Sequence, residues 1–430
     1  MTSNFLFPQI NATDKGADAA MIATNALKTY EALANRCIVL AEPHLALQIP
    51  LMLQSASHKQ APVRAAAEAA VLAFASKMSA NAVPIVLKDF FEASEIGVAW
   101  QTRALALKAM ASLADHAPEQ LGASLPEVVP QVTISMNETK KEVSTAALEA
   151  MTAACEVIGN RDIEHMTTKI VRSITNPEDV PEIMHALAGV TFVQSVQSPA
   201  LAMVVPLLIR GLRSRLTATR RQSCVIIDNM SKLVDEPLDA FPFLPTLMPA
   251  LKFAADAMSD PEARSVAERA SDQLNRLNGL CEEAAKYTKK AEATLVLAAM
   301  KAKLPKAVAA KSEVALMYIA NLCCTMMTLS KFESAEWKSE ISKYLAVLVG
   351  TEAAEKATES IRIECKEMVK AIPPKNEDDD DLEELCNCKF TLAYGTKILL
   401  HNTVMRLKRG AKYGLLGGND SGELTNICYM

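Results

Sequence analysis

The run Gly417-Gly418-Asn419-Asp420-Ser421-Gly422-Glu423-Leu424 has the glycine spacing of a phosphate-binding loop but not its charge. Such a loop reads GxxxxGK[ST] between a strand and a helix. Its backbone amides cradle phosphate oxygens, its lysine reaches the β and γ phosphates, and its hydroxyl ligates Mg²⁺. Gly417 and Gly422 occupy the anchoring positions after the apolar stretch Tyr413 to Leu416. Glu423 and Leu424 stand where the lysine and the hydroxyl belong. A carboxylate about 4 Å from one phosphate charge repels it by about 1 kcal/mol under water-like screening and about 4 kcal/mol near a protein surface. Thr425 comes one residue late, turned by roughly 100° on a following helix, and is a poor substitute. No Walker-B carboxylate or further parallel strand follows Leu424 in the sequence. Phosphoryl transfer needs lysine, metal and a positioned water together. The expectation is a chain without ATPase activity of its own and without a bound cofactor.

Charge is the next candidate chemistry. Net charge is only −5, so any contact with nucleic acid must come from local patches rather than a general field. RGLRSRLTATRR gathers Arg210, Arg213, Arg215, Arg220 and Arg221 around an inter-helix turn. Clustered guanidiniums suit RNA phosphates and give salt-dependent affinity, although a solvated charged turn has the same composition. Lys397, Arg406, Lys408, Arg409 and Lys412 form a second basic set on strand-like sequence, which reads as an exposed strand face or a balance to nearby acids. Trp100, in GVAWQTR, invites comparison with tubulin-binding helical repeats that use an exposed turn tryptophan beside basic residues, but one Trp and one Arg do not repeat the device.

The ten cysteines fall at irregular places and no Cys/His set has zinc spacing. Cys386-Asn387-Cys388 reads either as a metal or redox pair or as two same-face core residues of a strand, and strand periodicity favours the latter. His44, His58, His116, His165, His185 and His401 lie far apart without ligand spacing. Metal binding is not expected.

These residues must be positioned by helices. Ala, Leu, Met, Glu and Lys dominate while glycine and aromatics are scarce. An apolar residue followed by proline recurs at Ile49-Pro50, Val83-Pro84, Val129-Pro130, Val205-Pro206 and Met248-Pro249. The prolines are 34, 46, 76 and 43 residues apart, and the long gap is two periods with Thr168 at the missing start. Proline suits a helix's first turn, where no amide donor is needed. Each unit continues into a second, Ala-rich helix, such as APVRAAAEAAVLAFA or RRQSCVIIDNMSKLV. A period near 40 with two helices per unit is the HEAT pattern, in which each pair buries its apolar stripe only against the next.

The array is expected over residues 5–278. Four longer helical stretches over 281–371 predict an up-down four-helix bundle. The acidic run Lys375 to Glu384 within 372–384 reads as a solvated linker. From 385 to 430 the periodicity turns to strand, in LCNCKFTLAYG, KILLHNTVMRLKRG and AKYGLLG. The fold class is therefore all-α, a HEAT α-solenoid followed by a four-helix bundle, with a short incomplete α/β segment.

No basic n-region with an apolar core opens the sequence, and the longest oily stretch, Ala315 to Leu329, is too short to span a bilayer. A reduced, cytoplasmic protein is expected, with no membrane partner.

Several long stretches resemble the translation elongation factor three family of ABC-type ATPases. PEVVPQVTISMNETKKEVSTAALEAMTAACEVIGNRDIEHM, NPEDVPEIMHALAGVTFVQSVQSPALAMVVPLLIRGL, RRQSCVIIDNMSKLV and SDPEARSVAERA carry the likeness in the array. DDLEELCNCKFTLAYGTKILLHNTVMRLKRGAKYGLLG resembles the start of the family's first ABC domain. The resemblance implies a ribosome-docking region, with rRNA and ribosomal proteins as partners and neither DNA nor a small-molecule substrate. In the family, ATP-driven action on the ribosome promotes release of deacylated tRNA from the exit site. Tyr394 matches the aromatic position that stacks on adenine, and Gly417, Gly422 and Thr425 match loop positions of a vestigial ATP site, whereas Glu423 and Leu424 depart from it. The resemblance makes the arginine cluster the first choice for a ribosome contact. A general HEAT adaptor for another protein, such as tubulin, is the alternative.

Overall fold

The computed structural model describes residues 17–287, 291–369, 384–394 and 397–408. Helices α1 (Ala17–Arg36), α2 (Ile38–Ala46), α3 (Ile49–Ser55) and α4 (Ala61–Ala75) open a stack of helix pairs. It continues with α5 (Val83–Ser94), α6 (Trp100–His116), α7 (Pro118–Met136) and α8 (Lys141–Glu156). Then come α9 (Thr167–Thr175), α10 (Val180–Ala188), α11 (Ser198–Leu212), α12 (Thr217–Lys232), α13 (Leu244–Asp256) and α14 (Pro261–Tyr287). The second helices stack on one another through small residues: Ala66, Ala67, Ala70, Ala106, Ala109, Ala146, Ala147 and Ala150 are all buried. Their short side chains let helix axes approach, so each pair buries its stripe on its neighbours. The missing repeat start expected near Thr168 is the short pair α9–α10, nine residues in each helix.

Proline marks the first turn at Pro50 and Pro84, as expected. Pro130, Pro206 and Pro249 instead lie inside helices that begin at Pro118, Ser198 and Leu244. An earlier proline, Pro118, Pro199 or Pro245, already occupies the first turn in each case. The interior proline then loses one backbone bond, a cost that tertiary packing of the buried apolar face covers.

The boundary expected between the array at 278 and the bundle at 281 lies within one helix, α14, which runs through Gly279 to Tyr287. A glycine in a helix interior costs only about 1 kcal/mol relative to alanine, and Leu277 and Cys281 on either side are buried. The stretch beginning at Cys281, read as the first bundle helix, thus starts as the tail of the array. The bundle helices are α15 (Ala293–Lys303), α16 (Glu313–Thr328), α17 (Lys343–Val349) and α18 (Thr351–Met368). A helical turn Ser334–Trp337 and a π turn Lys338–Ser342 lead into α17. Trp337 is fully buried there, its Nε1 donating to Lys331 O at 2.8 Å.

The bundle folds back onto the first repeats. Glu42 of α2, 1% exposed, is held at the seam by three donors. Ser79 N lies 2.5 Å and Tyr318 Oη 2.6 Å from Oε1, and Tyr344 Oη lies 2.5 Å from Oε2. Burial pushes the Glu42 carboxyl above the ordinary glutamate range, and these donors together with the Lys343 charge pull it back only in part. Lys331 of the bundle pairs with Glu119 of α7, and Ser79 Oγ donates to Glu340 Oε2 at 3.3 Å.

Strands β1 (Glu384–Tyr394) and β2 (Lys397–Lys408) form an antiparallel hairpin with register shifts near Cys386, Leu392 and Ala393. Its His401 Nε2 lies 3.2 Å from Asp235 Oδ1 of the array without completing a hydrogen bond. The third expected strand, at AKYGLLG, lies outside the described residues.

Candidate functional site

A two-helix repeat has two edges. One carries the turns within repeats, at 56–60, 95–99, 137–140, 176–179, 213–216 and 257–260. The other carries the turns between repeats. The bonds joining the bundle and hairpin to the array involve Glu42, Ser79, Glu119 and Asp235, which belong to first helices or between-repeat turns. Among the described residues, these bonds leave the within-repeat edge untouched, and the arginine cluster stands on it.

The five arginines divide into two groups. Arg210 Nη1 donates to Ser173 O at 2.8 Å and Ile174 O at 3.0 Å, capping the end of α9 in the preceding repeat. Arg220 Nε donates to Ser214 O at 2.5 Å and its Nη1 to Ala257 O at 3.1 Å, tying its own turn to the next. Arg221 pairs with Glu262 at 2.7 Å. The last carbonyls of a helix have no partner of their own, and a guanidinium fork supplies donors to several at once. Arg213 and Arg215 are exposed and carry their charge outward.

The capping arginine recurs. Arg64 donates to His58 O and Lys59 O, Arg103 to Ser94 O, and Arg264 to Met258 O. Arg64 and Arg103 are 39 residues apart and Arg220 and Arg264 are 44 apart, both close to one repeat. That recurrence marks in the sequence the arginines at the start of second helices, although it does not mark Arg210, which caps from a first helix.

Trp100 begins α6 at 38% exposure, and Lys140 Nζ, from the next turn along, sits 4.5 Å from its ring centroid. Ile96 of the same turn is 74% exposed. Arg103 is buried and paired with Glu138 at 2.8 Å, so the arginine of GVAWQTR is internal and the cation facing the indole comes from the adjacent repeat. A cation over an indole face is held by the ring quadrupole.

The vestigial nucleotide residues are mostly out of view. Tyr394 closes β1 opposite Lys397, while Gly417, Gly422, Glu423, Leu424 and Thr425 lie outside the described residues. In the second basic set, Arg406 is paired in register with Asn387 and Lys408 with Glu384; Arg409 and Lys412 also lie outside. A cavity of about 820 Å³ opens between α12, α14 and β2, where Lys232, Arg276 and His401 line it. Among the described residues no cluster of three His, Cys, Asp or Glu can hold a metal ion. Cys155, Cys224 and Cys365 are buried, and burial pushes their thiols up to about 12, which makes them inert. The pair Cys386 and Cys388, expected in a strand core, is same-faced but not buried: Cys388 is exposed and Cys386 half-buried. A two-stranded hairpin has no second layer to bury that face at Cys388.

The architecture defines a class, an α-solenoid carrying a four-helix bundle, and three family models match it in that order. The EF3 N-terminal HEAT repeat matches residues 3–151, the Elongation factor 3/GNC1 HEAT repeat 178–286, and the four helical bundle domain 291–365. The chain is 37% identical over 417 residues to Elongation factor 3 of Phytophthora infestans, covering 96% of this chain and 40% of that protein. It is 35% identical to Elongation factor 3B and 32% identical to Elongation factor 3A of Saccharomyces cerevisiae, covering 37% and 40% of them. The chain belongs to the elongation factor 3 family, and it spans about two fifths of the length of these relatives.

Proposed function

We propose that this chain is an elongation-factor-3-like component of translation that binds the ribosome in the cytoplasm through the within-repeat edge of its HEAT array, without hydrolysing ATP itself. The observation that carries the reading is the division of labour on that edge. Among the described residues neither the bundle nor the hairpin bonds to it, and Arg213 and Arg215 stand there exposed beside arginines already committed to backbone carbonyls. Unneutralised guanidiniums on a rigid edge are suited to phosphate oxygens of structured RNA, and binding through them releases counterions. The absence of hydrolysis rests on Glu423 and Leu424, whose carboxylate and apolar side chain replace the cation and the metal ligand of the loop.

Co-sedimentation with purified ribosomes across a salt series tests the first part. The chain is expected in the ribosomal pellet at low salt. Replacing Arg213 and Arg215 together with glutamate is expected to remove most of it, and absence from the pellet at every salt concentration contradicts the reading. ATP turnover on the same preparation tests the second part: a rate lost on Tyr394→Ala overturns it.

The Trp100–Lys140 pair favours one further reading, a HEAT adaptor that docks a protein partner. It predicts that Trp100→Ala releases that partner while Arg213 and Arg215 substitutions do not.

A further inference from the structure

Cys386 and Cys388 form a surface dithiol. They are two residues apart on β1 and so project to one face. Their sulfurs lie 3.5 Å apart, with Cys388 exposed and Cys386 half-buried. A register shift between Glu384 and Cys386 interrupts the ladder immediately before the pair, and such irregularities re-aim side chains. Across the hairpin Cys388 is paired with Met405, and directly opposed residues of an antiparallel pair share a face. Met405, half-buried, therefore shares the face of the two thiols.

This donor set is all sulfur. Two thiolates bridged tetrahedrally at a metal–sulfur distance of about 2.3 Å stand about 3.8 Å apart, so the observed separation needs little change to admit a cation. A structural zinc site would need four ligands, and no cluster of three His, Cys, Asp or Glu exists among the described residues to supply them. Soft thiolate and thioether ligands select monovalent copper, which accepts two or three of them.

We propose that Cys386, Cys388 and Met405 constitute a surface site for a soft monovalent cation of the copper(I) class. Binding converts the two thiols to thiolates, releases two protons and changes no oxidation state.

The test is an anaerobic titration of the full reduced chain with copper(I) held by the chromophoric chelator bicinchoninate. The wild-type chain is expected to withdraw one equivalent more copper than the Cys386→Ser/Cys388→Ser variant, which keeps the other thiols. Met405→Leu is expected to retain that equivalent with affinity lower by about tenfold. Unchanged thermal unfolding of the variants shows that the difference is local. Equal withdrawal by wild type and the double variant overturns the proposal. So does an extra equivalent that survives in either single serine variant, which would place the copper on a lone thiol. Formation of an internal disulfide with no copper retained overturns it as well.

Discussion

Glu42 is the residue on which the junction of array and bundle turns. A fully buried carboxyl is costly unless its lone pairs are met, and here one backbone amide and two phenols meet them. Glu42→Ala leaves three donors in a dry seam. Each unpaired buried donor costs about 1–3 kcal/mol, so a loss of at least about 3 kcal/mol is expected in denaturant unfolding, with Tyr318→Phe costing about 1–2 kcal/mol. The pH dependence has a definite sign. Because burial raises the folded-state pKa above the unfolded one, the folded chain holds the proton more tightly. The contribution of this group is then full below the ordinary glutamate range and is lost as pH rises through the raised value. Glu42→Gln, which keeps an acceptor and cannot titrate, should flatten the stability–pH curve above the ordinary glutamate range. A curve identical to wild type would mean that Glu42 is not the titrating group.

At the scale of helices and turns, the capping arginines hold successive repeats together while their neighbours do not. Arg220→Ala strips donors from Ser214 O and Ala257 O and should cost about 1–2 kcal/mol, visible as a lower melting temperature. Arg213→Ala and Arg215→Ala, exposed on the same turn, should leave melting unchanged and weaken ribosome binding instead. This contrast also marks how far pattern reading reaches. The second helices were legible because alanine at helical spacing has few other uses, and α4 begins and ends where APVRAAAEAAVLAFA does. The starts of α7, α11 and α13 were not, because proline occurs both at a helix start and, where packing covers the lost bond, within it. The arginines were found as a cluster, but their division into capping and free groups depends on which carbonyls lie within reach. That is a property of the packed turn. Nor does local pattern reveal the Glu42 seam, whose phenols lie 276 and 302 residues along the chain.

Considered whole, the chain closes on itself, with the bundle seated on the first repeats. Solenoids unfold piecemeal because each repeat touches only its neighbours. A bundle bonded to α2, to Ser79 and to α7 bridges several repeats at once and should make the array's beginning unfold with it. Hydrogen exchange measures this directly. In the wild-type chain, amides of α2, α5 and α16 are expected to open together. In Glu42→Ala, protection in α2 and α16 should fall while α12 and α14, remote from the seam, keep theirs. If α16 keeps its protection as α2 loses it, the bundle stands on its own core and Glu42 serves the array alone. Loss in both couples the two bodies through one buried carboxyl, and the opposite edge, with Arg213 and Arg215, is then presented by a scaffold braced from behind.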